Sequence, residues 1–217
     1  MVRNRGLLEG RRIVIHILVA LRSEARPLVR HLGLEALPGG IAGRPAFTGR
    51  DLLLVVTGLG KAGAGRMVEE LSCRSKFDST VGWLNVGIAG HRDLPLGTCV
   101  LANEIRESAS EHRWEVRIPF RASLPQVPVW TVDRPETEFS GNAAYDMEAS
   151  GFYSAACRIT QPGLAQVLKV VSDNHGDDPT HLTGQRVEEL ISAACPRVSE
   201  LLQQMAGVVE NRDLTSD

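Results

Sequence analysis

Apolar residues in this chain gather in short continuous runs rather than at alternating positions. Ile13 to Leu21, Leu52 to Thr57, Val81 to Val86 and Gln166 to Ser172 are such runs, as expected of strands buried on both faces. Gly97 to Asn103 and Val127 to Val132 read as further strands, and Pro45 to Thr48 as a short one. Helical stretches lie between them. Glu24 to Leu32 is ended by Gly33, and Pro27 fits only its first turn. Ala64 to Cys73 is the second. Ala143 to Ile159 is rich in Ala, Ser and Gly, small enough for close approach to a sheet. Thr183 to Ala206 carries an apolar stripe of Val187, Leu190, Ile191, Val198, Leu201 and Leu202, which Pro196 is expected to kink or divide. Apolar strands alternating with helices predict a mainly parallel sheet covered on both faces.

The length of 217 residues suits one domain, read here as residues 11–208, with 1–10 a leader and 209–217 a loose polar tail. A hydrophobic share of 43% allows a sizeable core. The formal net charge of −2 gives no basic footprint for nucleic acid. Cys73, Cys99, Cys157 and Cys195 match neither zinc spacing nor a disulfide framework, which points to reduced thiols in a cytoplasm. Arg11 and Arg12 before the first apolar run loosely resemble a signal peptide. His16 interrupts the run, Arg22-Ser23-Glu24 follow it, and it is far shorter than the about 20 residues a membrane-spanning helix needs. No membrane partner is expected.

In sheets of this kind ligands gather at the carboxyl ends of strands. Four segments there are polar or glycine-rich and should be neighbours: Arg22–Glu24, Gly58–Gly63, Gly87–Gly90 and 173–178. Gly58-Leu59-Gly60-Lys61-Ala62-Gly63 matches a dinucleotide-binding pattern, but the acid expected at the end of the following strand is missing, and a tight strand-to-helix turn explains the glycines as well. Glu24 suits a general base on water, or a helix N-terminal acid favoured by the dipole. Glu148, in Asp146-Met147-Glu148, sits among small residues, so it is paired, at an edge or bound to something; a carboxylate accepts two hydroxyl hydrogen bonds, as a ribose diol would offer. Asp173 suits a proton donor to a ligand nitrogen if burial raises its pKa, or a cap. His175, Asp177 and Asp178 read as a polar loop rather than a metal site.

Four pieces in this order resemble the nucleoside phosphorylase and nucleosidase superfamily, above all its methylthioadenosine/S-adenosylhomocysteine nucleosidase branch. They are Ala20-Leu21-Arg22-Ser23-Glu24-Ala25; Thr57-Gly58-Leu59-Gly60-Lys61-Ala62-Gly63-Ala64; Asn85-Val86-Gly87-Ile88-Ala89-Gly90 with Leu96-Gly97; and Asp146-Met147-Glu148-Ala149 followed by Val171-Ser172-Asp173. The resemblance implies a three-layer α/β/α sandwich around a mostly parallel twisted sheet. It implies that Glu24 activates the attacking water, that Glu148 binds the ribose hydroxyls with Met147 against the sugar, and that Asp173 protonates N7 of the leaving purine. Gly60, Gly87, Ile88, Ala89 and Gly90 would line the substrate. No metal or cofactor and a homodimer follow from the same resemblance. Ile88 stands where the nucleosidases usually carry a polar residue, and the stretch Asp133 to Asp146 is shorter than in relatives, which bears on the base pocket.

The activity this implies is hydrolysis of the ribosyl–base bond of a purine-type, adenosine-derived nucleoside. Phosphorolysis is the second reading, including on an unusual adenosyl compound, with Arg22, Arg66 and Arg92 as candidate phosphate ligands by position. A nucleoside-binding module without turnover is the third, and a dinucleotide-binding protein the last.

Overall fold

The structure, a computed structural model, describes residues 15–49, 51–74, 79–175 and 182–213, with side chains to 210. The leader, the start of the first apolar run, Asp177, Asp178 and the end of the tail lie outside the described residues. In chain order the elements are β1 (Ile15–Val19), α1 (Arg22–Leu32), β2 (Glu35–Ala36), β3 (Ala46–Gly49), β4 (Leu52–Val56), α2 (Lys61–Arg74), β5 (Gly82–His91), β6 (Cys99–Glu107), β7 (Arg113–Glu115), β8 (Gln126–Thr131), β9 (Ala144–Asp146), α3 (Ala149–Ala156), β10 (Ala165–Asp173) and α4 (Gly184–Asp213).

The fold is mixed α/β. β1 runs parallel to β4 and β5, and β5 parallel to β10. These are the runs that are mostly apolar on both sides, because both faces are covered. α1 and α4 bury one face with Ile17, Val19, Leu84, Val86, Ile191 and Val198 in common packing. α2 and α3 cover the other, around Trp83, Val68, Leu71 and Phe152.

The mostly parallel sheet expected from the sequence is corrected by the other strands. β10 is antiparallel to β6, β6 parallel to β8, β8 parallel to β9, and β9 antiparallel to β5. The five strands β5, β10, β6, β8 and β9 therefore close on themselves. β3 pairs antiparallel with β4 and with β2, and β7 antiparallel with β6.

Three helix expectations also change. α1 begins at Arg22, so Pro27 lies in its interior rather than its first turn. Pro196 does not divide α4 and stands on its exposed side. The helix expected from Ala143 to Ile159 is a strand, a link at Met147 and a shorter helix. The Asp146 carboxylate accepts the N–H groups of Glu148 (3.2 Å) and Ala149 (2.8 Å), which ends β9 and starts α3. No helix among the described residues is long and apolar enough to cross a membrane.

Candidate active site

The site forms where two strands share one edge of β5. β1 pairs with β5 from Gly82 to Asn85 and stops, and β9 reaches the strand only at Gly90 and His91; β10 occupies the other edge throughout. The N–H of Ile88 falls in the gap, where a backbone donor needs a partner. Glu24 supplies it. Its Oε1 accepts Ile88 N–H at 3.0 Å, and its Oε2 accepts Ala20 and Leu21 N–H, both at 2.8 Å. The acid on the first turn of α1 thus folds back over the end of β1 and bridges to β5. Only 2% of Glu24 is exposed. Burial pushes its carboxyl above the ordinary value, and the Leu21 N–H, the Lys169 ammonium and the N–H groups of Ile88 and Ala20 offset this only in part.

The glycines expected to end the third strand are inside it, since β5 continues to His91. Their role is clearance. A Cβ on Gly87 would lie 2.9 Å from Glu24 Oε1 and 3.4 Å from Lys169 Nζ; one on Gly90 would lie 2.5 Å from the Phe139 ring and 2.7 Å from Asp173 Oδ2.

Glu148 enters from the other side of the gap, after β9. Gly151 touches the Lys61 carbonyl so closely that a Cβ would stand 1.9 Å from it. Gly151 thus serves approach to α2, while Ala149, Ala155 and Ala156 pack towards the sheet, and the α2 contact brings Gly60 N–H to Glu148 Oε1 at 2.8 Å. That donor is therefore occupied by a protein acid instead of facing a phosphate, which removes the main support for dinucleotide binding. Burial, with Asp146 and Glu24 adding to it against the Lys169 ammonium, raises the Glu148 carboxyl to about 7.

Lys169 was not legible as a site residue. It stands opposite Gly87 in the β5–β10 register, is 1% exposed, and pairs with Asp146 Oδ2 at 2.7 Å. Burial alone pulls its ammonium down, but Asp146, Glu148 and Glu24 together outweigh that and hold it above its ordinary value. The signal in the sequence was one lysine in the middle of a run otherwise apolar on both faces. Asp146 is held further by Thr131 Oγ1 at 2.7 Å, which in turn accepts Ser150 N–H at 2.9 Å. Three carboxylates thus surround one ammonium. Lys169→Met is expected to destabilise the fold by about 3–5 kcal/mol, the usual effect of breaking one side of a buried pair, and Asp146→Asn in the same chain to restore part of it. Urea midpoints measure this; a loss below about 1 kcal/mol would mean the ammonium is not balancing these acids.

The remaining expected residues are placed as follows. Asp173 ends β10, half-buried beside Gly90 and the Phe139 ring, and accepts Ser172 Oγ–H at 2.5 Å. It lies three residues along β5 from the Glu24 position. Met147 is half-buried between β9 and α3. Ile88 touches Glu24 through its backbone, while its side chain packs with the α1 and α4 layer. The Ala89 side chain lies in the apolar core under α2 and α3, so only its backbone is available to a ligand. Arg92 pairs with Asp93 at 2.9 Å, Arg66 flanks a groove between α2 and α3, and Arg22 is exposed; these arginines do not converge on one anion site. Phe139 was missed. It is buried at a left-handed φ of 46°, and Tyr145 Oη accepts the N–H of nearby Gly141 at 2.8 Å, so the short 133–146 stretch is folded against the site.

The fold that holds this gap is shared with solved nucleosidase structures. Among solved structures the chain is similar to 5′-methylthioadenosine nucleosidase of Arabidopsis thaliana (TM-score 0.72, 15% identity, 88% of this chain and 95% of that one). It is also similar to the 5′-methylthioadenosine/S-adenosylhomocysteine nucleosidase of Helicobacter pylori with butyl-thio-DADMe-Immucillin-A (0.68, 16%, 88% and 97%). Futalosine hydrolase of Helicobacter pylori is a third (0.65, 16%, 89% and 97%). No family model and no curated protein matches the sequence.

Proposed function

We propose that this chain is an enzyme, a nucleosidase that uses water to cleave the bond between ribose and base in a purine-type, adenosine-derived nucleoside. The observation that carries the reading is Glu24: a buried carboxylate held by three backbone N–H groups, with its proton affinity raised, in a gap beside two further acids. Cleavage moves the C–N electron pair into the base and leaves positive charge on the sugar. Asp173 gives its proton to the leaving base, Glu24 takes a proton from the attacking water, and the water oxygen bonds to C1′. Carboxylates near the sugar favour the cationic transition state. Glu148 receives the ribose hydroxyls, with Met147 against the sugar and Gly60, Gly87, Ile88, Ala89 and Gly90 as the lining. The protein acts in the cytoplasm as a homodimer, on a small molecule and without metal or cofactor.

The test is incubation with a nucleoside panel, with and without inorganic phosphate. Free base and free ribose, in amounts that do not depend on phosphate, are expected. A sugar 1-phosphate formed only with phosphate would overturn hydrolysis, and binding without products would make the chain a nucleoside-binding module.

Glu148 makes a pH prediction. Its carboxyl, raised to about 7, is ionised above that pH and protonated below it. A protonated acid accepts ribose hydroxyls less well, so KM should rise as pH falls, by about tenfold between pH 8 and pH 6 for a single group of that pKa. Glu148→Gln should bind weakly at both values. A KM equally flat with pH in the parent protein would remove Glu148 from the diol.

A further inference from the structure

β5 ends at His91, which is buried. Its Nδ1 accepts the backbone N–H groups of Asp93 at 3.1 Å and of Leu94 at 3.2 Å. An imidazole nitrogen that accepts carries no proton, so the ring proton is on Nε2. That N–H is buried and has no hydrogen-bond partner among the described residues. An unpaired buried donor is unfavourable, and the ring bears it while its other nitrogen serves two donors of the chain that follows. Burial pulls the imidazole below its ordinary value; Asp93 opposes this and Arg92 adds to it, so the accepting form is kept.

The turn held by His91 begins a strap, residues 92–98, that lies along the end of β10 and binds on both sides of Asp173. Before Asp173, the Val171 carbonyl accepts Gly97 N–H at 2.8 Å, and Val171 N–H donates to the Thr98 carbonyl at 3.0 Å. After it, Asn174 Nδ2 donates to the Leu94 carbonyl and His175 N–H to the Arg92 carbonyl, both at 3.4 Å. Leu94 is thus gripped twice, its N–H by His91 and its carbonyl by Asn174. The ladder alone does not fix Asp173, because the β10–β5 register shifts between Val171 and Asp173. An irregularity of this kind re-aims a side chain, and the strap is what holds the irregular end in place.

We infer that His91 is a positioning residue for Asp173: its Nδ1 sets the turn of the strap whose far contacts hold the end of β10 where Asp173 meets the leaving base. The inference rests on the proposed nucleosidase reading. A neutral ring suits the task. A carboxylate at this position would accept the same N–H groups, but it would add negative charge one residue from the Gly90 position that pairs with Asp173.

The test compares adenosine with 4-nitrophenyl β-D-ribofuranoside, which share the sugar and differ in whether the leaving group needs a proton. His91→Gln puts its acceptor one bond further out. It should lower kcat on adenosine by about 10- to 100-fold, the scale of a small misplacement of a catalytic group, and kcat on the nitrophenyl riboside by less than about threefold. KM should change little on either. His91→Asn keeps an acceptor at the Nδ1 position and should stay within about threefold of the parent on both. In an Asp173→Asn background, His91→Gln should slow adenosine turnover by less than about threefold more, because the proton it positions is gone. Urea midpoints establish that each variant is folded under assay conditions. Should His91→Gln not fold, Asn174→Ala releases the strap at its other end, and a loss confined to adenosine is again expected; an equal loss on both substrates, or none, overturns the inference. So does an equal loss on both from His91→Gln, an Asn variant no better than the Gln one, or an undiminished loss in the Asp173→Asn background. The nucleosidase reading survives these outcomes as long as Asp173→Asn alone separates the two leaving groups. If Asp173→Asn slows both alike, its acid role and this inference fall together. Turnover of neither compound overturns the nucleosidase reading as well.

Discussion

Glu24→Gln is expected to reduce kcat by about 10²- to 10⁴-fold, the range for loss of a general base, with a much smaller change in KM. The asymmetry follows from where the interaction acts. Taking a proton from water matters in the transition state and contributes little to holding the ground-state nucleoside. The geometry adds a complication that the experiment has to separate. The carboxylate accepts N–H groups on both oxygens, from Ala20 and Leu21 on one and from Ile88 on the other. Glutamine has one acceptor oxygen, so its amide nitrogen would face a donor, and some stability will be lost. Two controls remove that confusion. Urea unfolding shows how much of the variant is folded under assay conditions. Glu24→Ala, which leaves space for a small carboxylate, should recover measurable turnover when formate is added. A folded Glu24→Gln protein with kcat within about threefold of the parent would take the base role away from this residue.

The buried framework of the sheet was open to reading because its strands are covered on both faces and leave continuous apolar runs. β1, β4, β5 and β10 all follow this rule. So did the positions of Glu24 and Asp173, since an acid directly after such a run falls at a strand end. The same rule failed where side-chain pattern vanishes. Gly87-Ile88-Ala89-Gly90 looked like a loop because glycine carries no alternation, yet it is strand whose missing side chains make room for Glu24, Lys169, Phe139 and Asp173. β9 is three residues long and lies in an alanine- and serine-rich stretch that helical spacing also fits; its pairing with β5 and β8 decides its state. Closure of β5, β10, β6, β8 and β9 depends on contacts between distant segments and leaves no local trace.

Charge inside the site was the other illegible part. Lys169 was read as part of a hydrophobic strand, and Asp146 as a helix acid next to the more interesting Glu148. The structure makes both central: Asp146 caps α3, pairs with Lys169 and takes a hydrogen bond from Thr131. A lone buried charge is so costly that its partner must exist. The sequence therefore demanded a partner for Lys169 without saying which acid it was.

Asp173→Asn is expected to slow turnover by about 10²- to 10⁴-fold on a substrate whose base leaves poorly, as general acid catalysis would supply. Asparagine keeps the size of the side chain and can still accept the Ser172 hydroxyl, so the end of β10 should hold its place and the stability change should be small. What it loses is the proton. The loss should therefore depend on the leaving group. A nucleoside whose base departs as a stable anion needs no proton in the transition state and should be slowed far less than its purine counterpart. Phe139 sharpens the comparison, because its ring shares with Asp173 Oδ2 the space over Gly90. Phe139→Leu should weaken binding of good and poor leaving groups alike, while Asp173→Asn discriminates between them in kcat. If Asp173→Asn slows both substrates by the same factor, the residue positions the base without protonating it. The departing electrons must then be stabilised by another group.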